Sequence, residues 1–357
     1  MPDGIAERLT TWYARHARSL PWRERSDAYA VWISEIMLQQ TRVETVIPYF
    51  QRWMEHFPTV QALAAASEQD VLKLWEGLGY YSRARNLHQT ARVVVSDYNG
   101  QFPSETDQLR KLPGIGRYTA GAIASIAFGR DEPVLDGNVR RVLARIFDIS
   151  LPARSKVAEA LFWELAEQLI PSGQASEFNQ AVMDLGATIC TPRSPNCPVC
   201  PVNDLCEANR LGIQDQRPVL EKRAPTPHLV VTAGVLRRGE TIFLARRPSK
   251  GLLGGMWEYP GGKCEPGETL PECLKRELME ELGIQVQVGE PFGVYEHAYT
   301  HFSVTLHAFQ CQIEQGEPQP LHASEIRWVK PEELPDLPMG KIDRQISRRI
   351  LAENSPR

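Results

Sequence analysis

LPGIGRYTAGAIASIAFGRDEPVLDGN, residues 112–138, is the stretch whose reading decides the fold of the 357-residue chain. Leu112-Pro113-Gly114-Ile115-Gly116 reads as a tight turn, with two glycines free to take φ > 0 or to let another group approach closely. The small and apolar run Thr119–Phe128 is long enough for one buried helix. The turn then aims backbone N–H groups outward at a helix N-terminus, a ready anion site at Gly114 and Gly116. Beyond it, Val134-Leu135-Asp136-Gly137-Asn138 sets a carboxylate against apolar neighbours, followed by a flexible glycine. Two readings fit. One is a helix-turn-helix in which Asp136 caps the second helix; the other is a phosphate clamp beside a catalytic carboxylate.

Composition narrows the class. At this length two or three domains are expected, each with enough chain for a core. The net charge of −4 gives no global sign of nucleic-acid binding, so any DNA contact must rest on local patches. Seven cysteines are too few for a disulfide scaffold, and four of them cluster, which suggests a metal in a reducing compartment. The N-terminal residues mix charges throughout and lack the apolar core of a signal peptide, and no apolar run approaches the roughly 20 residues that span a membrane. A cytoplasmic location without membrane association is the expectation.

Residues 1–213 read as all-α, from apolar spacing such as Leu9-Trp12-Tyr13 and Val71-Leu72-Trp75. Residues 214–228, QDQRPVLEKRAPTPH, hold three prolines without periodicity and read as a linker. Residues 229–357 alternate β-rich runs with a Gly-rich loop and a charged helix, an α+β pattern. The fold class is therefore multidomain.

Glu35 stands in VWISEIMLQQT among Val31, Trp32, Ile33, Ile36, Met37 and Leu38. Burial there would raise its pKa and make it a general acid, whereas the exposed stripe of an amphipathic helix would leave it an ordinary glutamate. Gln39, Gln40 and Thr41 are uncharged hydrogen-bonders suited to wedging into or reading base pairs. Tyr80 and Tyr81 beside Arg83 and Arg85 suit stacking and phosphate contact, or simply a core. Cys190, Cys197, Cys200 and Cys206 are spaced C-x6-C-x2-C-x5-C, a set of thiolates for zinc or an iron–sulfur cluster. Glu277, Glu280 and Glu281 share one helical face at i, i+3 and i+4 and would repel without a cation among them, for which Mg²⁺ or Mn²⁺ suits. The other possibility is that they sit in solvent on a helix kept for its fold.

PWR at 21–23, SEIMLQQT at 34–41, GLGYYSRARNLH at 77–88, LPGIGRYTAGAI at 112–123 and LDGNVRRVLAR at 135–145 resemble, in order and spacing, the MutY family of adenine DNA glycosylases. The resemblance implies an all-α helix-hairpin-helix domain that removes adenine mispaired with 8-oxoguanine or guanine from double-stranded DNA, acting as a monomer. It implies that Glu35 protonates the leaving adenine and that Asp136 stabilises or captures the sugar cation. Tyr118 and Asn138 would hold the sugar and the catalytic groups. Arg23, Gln40, Thr41, Leu78, Tyr80, Gly114 and Gly116 would contact DNA. The cysteine spacing is that of the [4Fe–4S] loop of this superfamily.

The chemistry is coherent with those roles. An N-glycosidic bond breaks through an oxocarbenium-like transition state, which needs an acid on the leaving base and an anion near the sugar. The base must also leave the stack. Related lyase-type glycosylases carry a Lys after Gly-Arg, and here Gly116-Arg117 precedes Tyr118, whose phenol forms no imine. A monofunctional glycosylase is expected, rather than a lyase-type endonuclease or a non-enzymatic DNA-binding scaffold.

The second domain resembles Nudix hydrolases, with a complete box: Gly262-x5-Glu268-x7-Arg276-Glu277-Leu278-Met279-Glu280-Glu281-Leu282-Gly283-Ile284. Many adenine glycosylases carry a related domain with this box eroded. The intact box implies a further hydrolase activity on oxidised nucleotides with Mg²⁺ at Glu277, Glu280 and Glu281. His297-Ala298-Tyr299-Thr300-His301 aligns with the loop through which the family reads 8-oxoguanine, usually Phe-Ser-His, so Thr300 and His301 are the candidate readers. The other reading places Tyr299 and His301 on a sheet face.

Overall fold

In the computed structural model, which describes residues 4–25, 27–221 and 225–354, the 112–138 stretch forms two helices, Arg117–Phe128 and Gly137–Ile146, joined by an extended segment. The first packs against the helix Ala28–Leu38, whose N-terminus Asp27 caps by accepting from Ala30 N–H at 2.9 Å. Capping of that kind satisfies a donor the helix itself cannot. Gly121 is what lets the extended segment lie so close. A Cβ there would meet the Pro133 carbonyl oxygen at 2.3 Å. Buried Asn179 ties the same segment down, donating to Ser125 Oγ at 3.0 Å and to Glu132 O at 2.8 Å. The surrounding core joins Ile5 and Leu9 of the helix Ile5–His16 to Phe178, Val182 and Leu185 of the helix Ala175–Thr188, with Val139 and Val142 between them.

The chain divides into two compact units, residues 1–65 with 86–223, and residues 66–85 with 224–357. The short segment 66–85, read from sequence as part of the first domain, thus groups with the C-terminal residues. The beginning of the expected linker belongs to the helical unit for a clear reason. Its carbonyls at Gln214 and Arg217 accept from the buried Arg145 Nε at 2.9 and 3.1 Å, and Val219 O accepts from Ala153 N–H at 2.9 Å. Residues 222–224 of that linker lie outside the described residues.

In the second unit six strands form one mixed sheet: β1 (His228–Arg238), β2 (Thr241–Arg246), β3 (Trp257–Glu258), β4 (Gln285–Ala298), β5 (Ser303–Gln315) and β6 (Glu325–Val329). The order is β3-β2-β1-β5-β4, with β6 also on β2. β1 and β5 run parallel and the other pairs antiparallel. One face is covered by the helix Leu270–Leu282 through Leu274, Leu278 and Leu282. The other is covered by the helix Lys341–Asn354 through Ile342, Ile346 and Ile350. A central strand buried on both faces reads as a continuous apolar run, which is why Ala233–Leu236 lacks alternation.

Gly121→Ala is expected to destabilise the helical unit by about 1–3 kcal/mol, the usual cost of overpacking against backbone that cannot yield. Chemical denaturation monitored by far-UV circular dichroism checks this; an unchanged midpoint would mean that the Pro133 backbone moves freely.

Candidate active site

The helix Ala28–Leu38 is buried from Tyr29 to Met37, and Glu35 is 5% exposed among apolar neighbours. Its Oε2 accepts a short hydrogen bond from the Tyr118 hydroxyl, which also lies 3.6 Å from Met183 Sδ. Burial raises the Glu35 carboxyl to about 7, and the Tyr118 hydrogen bond opposes that rise only in part. The carboxyl is therefore half protonated near neutrality.

Asp136 caps the helix Gly137–Ile146, its Oδ1 accepting from Val139 N–H at 2.7 Å and its Oδ2 from Asn138 Nδ2 at 2.9 Å. Burial raises its pKa too, and these donors pull it back. The two sequence readings of Asp136 are thus compatible. It is a helix cap, and it lines a cavity of about 850 Å³ that also holds Glu35, Tyr118 and Asn138. Gln40 and Thr41 line the same cavity, and Gln40 adopts φ 58°, a conformation rare outside glycine.

Several residues that line the cavity, or pair with those that do, carry no sequence motif. Asp184, fully buried, accepts from Arg18 Nε at 2.8 Å and from both terminal nitrogens of Arg23 at 2.8 Å. Arg23, a DNA-contact candidate by sequence, has its guanidinium committed to that pair, although it still lines the cavity. Gln180 and Met183 complete the wall. The available signal was a charged Asp184 within the apolar run 181–185 of the helix Ala175–Thr188.

The hairpin glycines differ. Gly114 takes φ 74°, and a Cβ there would meet Asn86 at 2.7 Å. Gly116 is extended with open space around it, so its glycine is required by nothing inside the chain. Space beside the N-terminus of the Arg117–Phe128 helix leaves room for a phosphate. In the second unit Leu78 is 7% exposed and does not offer its side chain to a duplex, whereas Tyr80 is 38% exposed at φ 48°. Thr300 and His301 are exposed in the turn between β4 and β5, closed by Tyr299 N–H to Phe302 O at 2.8 Å. They are turn residues rather than members of a sheet face.

Cys190, Cys197, Cys200 and Cys206 line one pocket. Burial pushes the Cys200 thiol to about 12 and raises Cys197 and Cys206, with the other sulfurs adding to each rise. Four thiols so placed form stable thiolates only around compensating positive charge, which suits a metal cluster. Among the described residues no three His, Cys, Asp or Glu side chains meet as a site for a single ion. Arg145 steadies the loop, donating to Cys190 Sγ at 3.3 Å and Thr191 O at 2.7 Å. Arg141 links the loop to the cavity, donating to Cys190 O and to Asn138 Oδ1, both at 2.8 Å.

Glu277, Glu280 and Glu281 are not the bare cluster their spacing suggests. Arg276 donates to Glu277 at 3.0 Å, to Glu280 at 3.1 Å and to Glu268 at 2.6 and 3.0 Å, holding the Glu268 carboxyl down at about 2. Gly262 is glycine because a Cβ there would fall within 2.5 Å of the Glu277 carboxylate. The Glu281 carboxyl is drawn instead to the Gly261 backbone N–H.

Comparison with known proteins separates the same helical and mixed-sheet parts, with the helical match running through residues 66–85. Residues 33–168 match the HhH-GPD superfamily of base excision DNA repair proteins, residues 190–206 the iron-sulfur binding domain of endonuclease III, and residues 232–349 the NUDIX domain. The Homo sapiens adenine DNA glycosylase is 39% identical over 91% of this chain and 70% of its own length, and that of Rattus norvegicus 37% over 95% and 76%. A solved thermostable thymine-DNA glycosylase is 31% identical at a TM-score of 0.54, over 58% of this chain and 95% of its own. A trapped endonuclease III–DNA covalent intermediate, 24% identical at a TM-score of 0.51 over the same shares, shows the same helical fold.

The raised Glu35 carboxyl makes stability depend on pH. The unfolded chain ionises Glu35 above its ordinary 4.5, while the native state keeps the proton to about 7, so stability is lost as pH climbs between those values. The gap corresponds to about 3 kcal/mol. Glu35→Gln, which has no charge to bury, is expected to match the wild type at pH 4 and to exceed it by up to that amount above pH 7. Urea titrations at the two pH values check the sign.

Proposed function

Since the chain belongs to the adenine DNA glycosylases, iron–sulfur enzymes that bind DNA and hydrolyse N-glycosidic bonds, we propose that its substrate is adenine opposite 8-oxoguanine or guanine and that Glu35 and Asp136 carry the chemistry. The observation that carries this reading is the shared cavity: a carboxyl with its pKa near 7 and a capped carboxylate face one space large enough for an extruded base. Glu35, protonated, delivers its proton to the departing adenine. Asp136, whose burial-raised pKa the Val139 and Asn138 donors pull back, faces the positive charge that develops on the sugar. Tyr118 fixes the Glu35 carboxyl through its hydroxyl. Gln180 carries an amide of the kind that pairs with the donor and acceptor edge of adenine.

Water attacks the cation or its Asp136 adduct, which makes the reaction monofunctional. Tyr118 stands where an imine-forming lysine would be, and among the described residues no lysine lines the cavity. The cysteines hold the [4Fe–4S] cluster, which fixes the 190–206 loop as a rigid piece beside the helix Gly137–Ile146. Gln40, Thr41 and Tyr80 occupy the helix around the orphaned base left opposite the extruded adenine. Thr300 and His301 read the opposite base, the Thr hydroxyl able to donate or accept at the atoms that distinguish 8-oxoguanine. Two-sided reading is required because adenine itself is undamaged. The protein acts on such mispairs as a monomer.

Asp136→Asn and Glu35→Gln are each expected to lower single-turnover adenine release by about a thousandfold while mismatch binding persists. The wild-type rate should fall as pH rises through about 7, approaching tenfold per pH unit above it, because the acid form of Glu35 is lost. Strand scission should require hot alkali. A near-normal rate in either variant, or efficient borohydride trapping of a covalent enzyme–DNA imine, would overturn these assignments.

A further inference from the structure

Within the second unit, the segment Gln69–Arg85 is fastened to the sheet and its loops by polar contacts that the chemistry above does not use. Glu76 accepts from Arg344 Nε at 2.6 Å and Nη2 at 2.9 Å, a two-pronged ion pair, and from Met339 N–H at 3.3 Å. Both side chains are largely buried, 12% exposed for Arg344 and 17% for Glu76. Arg344 also donates to the Leu334 carbonyl at 2.6 Å, which fixes the guanidinium from its far side. Seven residues before Glu76, the Gln69 amide spans the other end of the loop. Its Oε1 accepts from the Trp257 indole at 2.9 Å and its Nε2 donates to Gly255 O at 3.0 Å. Nine residues after Glu76, Arg85 donates to Gly254 O at 2.5 Å.

Between these anchors lies the turn Gly77–Tyr81. The Trp75 indole donates to Gly79 O at 3.0 Å, and Arg83 donates to Leu78 O and Gly79 O at 3.1 and 3.2 Å, so the turn's backbone is held at both ends. At its apex Tyr80 is forced to φ 48° and its hydroxyl is hydrogen-bonded to Thr300 Oγ1. A strained, exposed aromatic residue thus meets the tip of the β4–β5 turn.

We propose that the Glu76–Arg344 pair is a specificity-positioning device, which sets the Gly77–Tyr81 turn so that Tyr80 and Thr300 form one surface reading the base opposite adenine. This rests on the assignment of Thr300 to that base. The pair's low exposure gives it a rigid geometry that a solvated ion pair lacks. Its fork geometry fixes both distance and direction, and a Lys at 344 would supply only a point charge. Neither Glu76 nor Arg344 lines the cavity of Glu35 and Asp136, so discrimination and chemistry separate.

The test uses the full chain. Single-turnover rates are measured for adenine opposite 8-oxoguanine and opposite guanine in the wild type, Arg344→Met, the double variant Glu76→Leu/Arg344→Met, and Thr300→Ala, with thermal unfolding of each. Arg344→Met leaves Glu76 without its main partner and should both destabilise the protein and lower the preference for 8-oxoguanine. The double variant replaces both charges by apolar groups and should recover thermal stability. Its preference should stay about tenfold below the wild type, within the usual coupling range of one network, with the rate opposite guanine within about twofold. A double variant with wild-type preference overturns the proposal, as does a preference lost only in parallel with the rate opposite guanine. If Thr300→Ala lowers the preference while the double variant does not, the positioning role alone fails. If Thr300→Ala is silent as well, the assignment of Thr300 fails with it.

Discussion

Withholding one carboxyl from water is the constraint around which the helical unit is built. Glu35 sits where ionisation is costly, and the surroundings are arranged so that nothing cancels the cost completely. The nearest cationic group with strength to do so is Arg23. Its guanidinium is instead paired with Asp184, which also takes Arg18. Two arginines on one buried aspartate leave one net positive charge beside Glu35, and Arg23 offsets the rise in the Glu35 carboxyl only in part. Had Arg23 paired with Glu35 directly, the carboxyl would fall toward the ordinary range and be an anion at neutral pH. Asp136 is buried too and its pKa is raised, but two N–H donors on one carboxylate at a helix N-terminus oppose that rise. The same chemical group thus meets different partners at the two positions, a phenol at Glu35 and two N–H donors at Asp136.

One helix carries this arrangement into the iron–sulfur loop. In Gly137–Ile146 the N-cap is Asp136, the second residue is Asn138, and Arg141 and Arg145 follow one turn apart. The contacts run Asp136 to Asn138 to Arg141 to the Cys190 carbonyl without a break. Arg141 and Arg145 are buried cations whose donors are used on carbonyls and on a cysteine sulfur rather than on carboxylates. Such bonds cannot be released cheaply, so the loop and the carboxylate hold a common register.

Much of this was legible in the sequence. The helical and α+β halves, the turn-and-helix at 112–128 and the clustered cysteines follow from spacing and local chemistry, whereas the neighbours of Glu35 fit either a buried acid or an exposed glutamate and only the family resemblance implies the acid. The Asp184 cluster was not, because a buried ion pair joins residues 161 and 166 positions apart and leaves no periodicity. Leu78 could not be told from Tyr80 by residue type. Their difference lies in a backbone turn that buries one and strains the other into the open. The grouping of 66–85 with the C-terminal residues was hidden for the same reason. It depends on single pairs such as Gln69 with Trp257, each unremarkable in its own segment.

The acidic box of the second unit shows how a motif can be complete and still be read too simply. Three glutamates on one helical face look as if they need a cation, and the box provides one in Arg276. Because Arg276 stands one residue before Glu277 and four before Glu280, its fork reaches both while its other edge closes on Glu268. The helix is capped independently by Thr269 and Glu272. The box thus sets one covalently attached cation against four carboxylates, Glu268, Glu277, Glu280 and Glu281. A divalent ion entering between Glu277 and Glu280 must displace the Arg276 bonds and leave a guanidinium beside itself, so metal occupancy there is a competition between two cations.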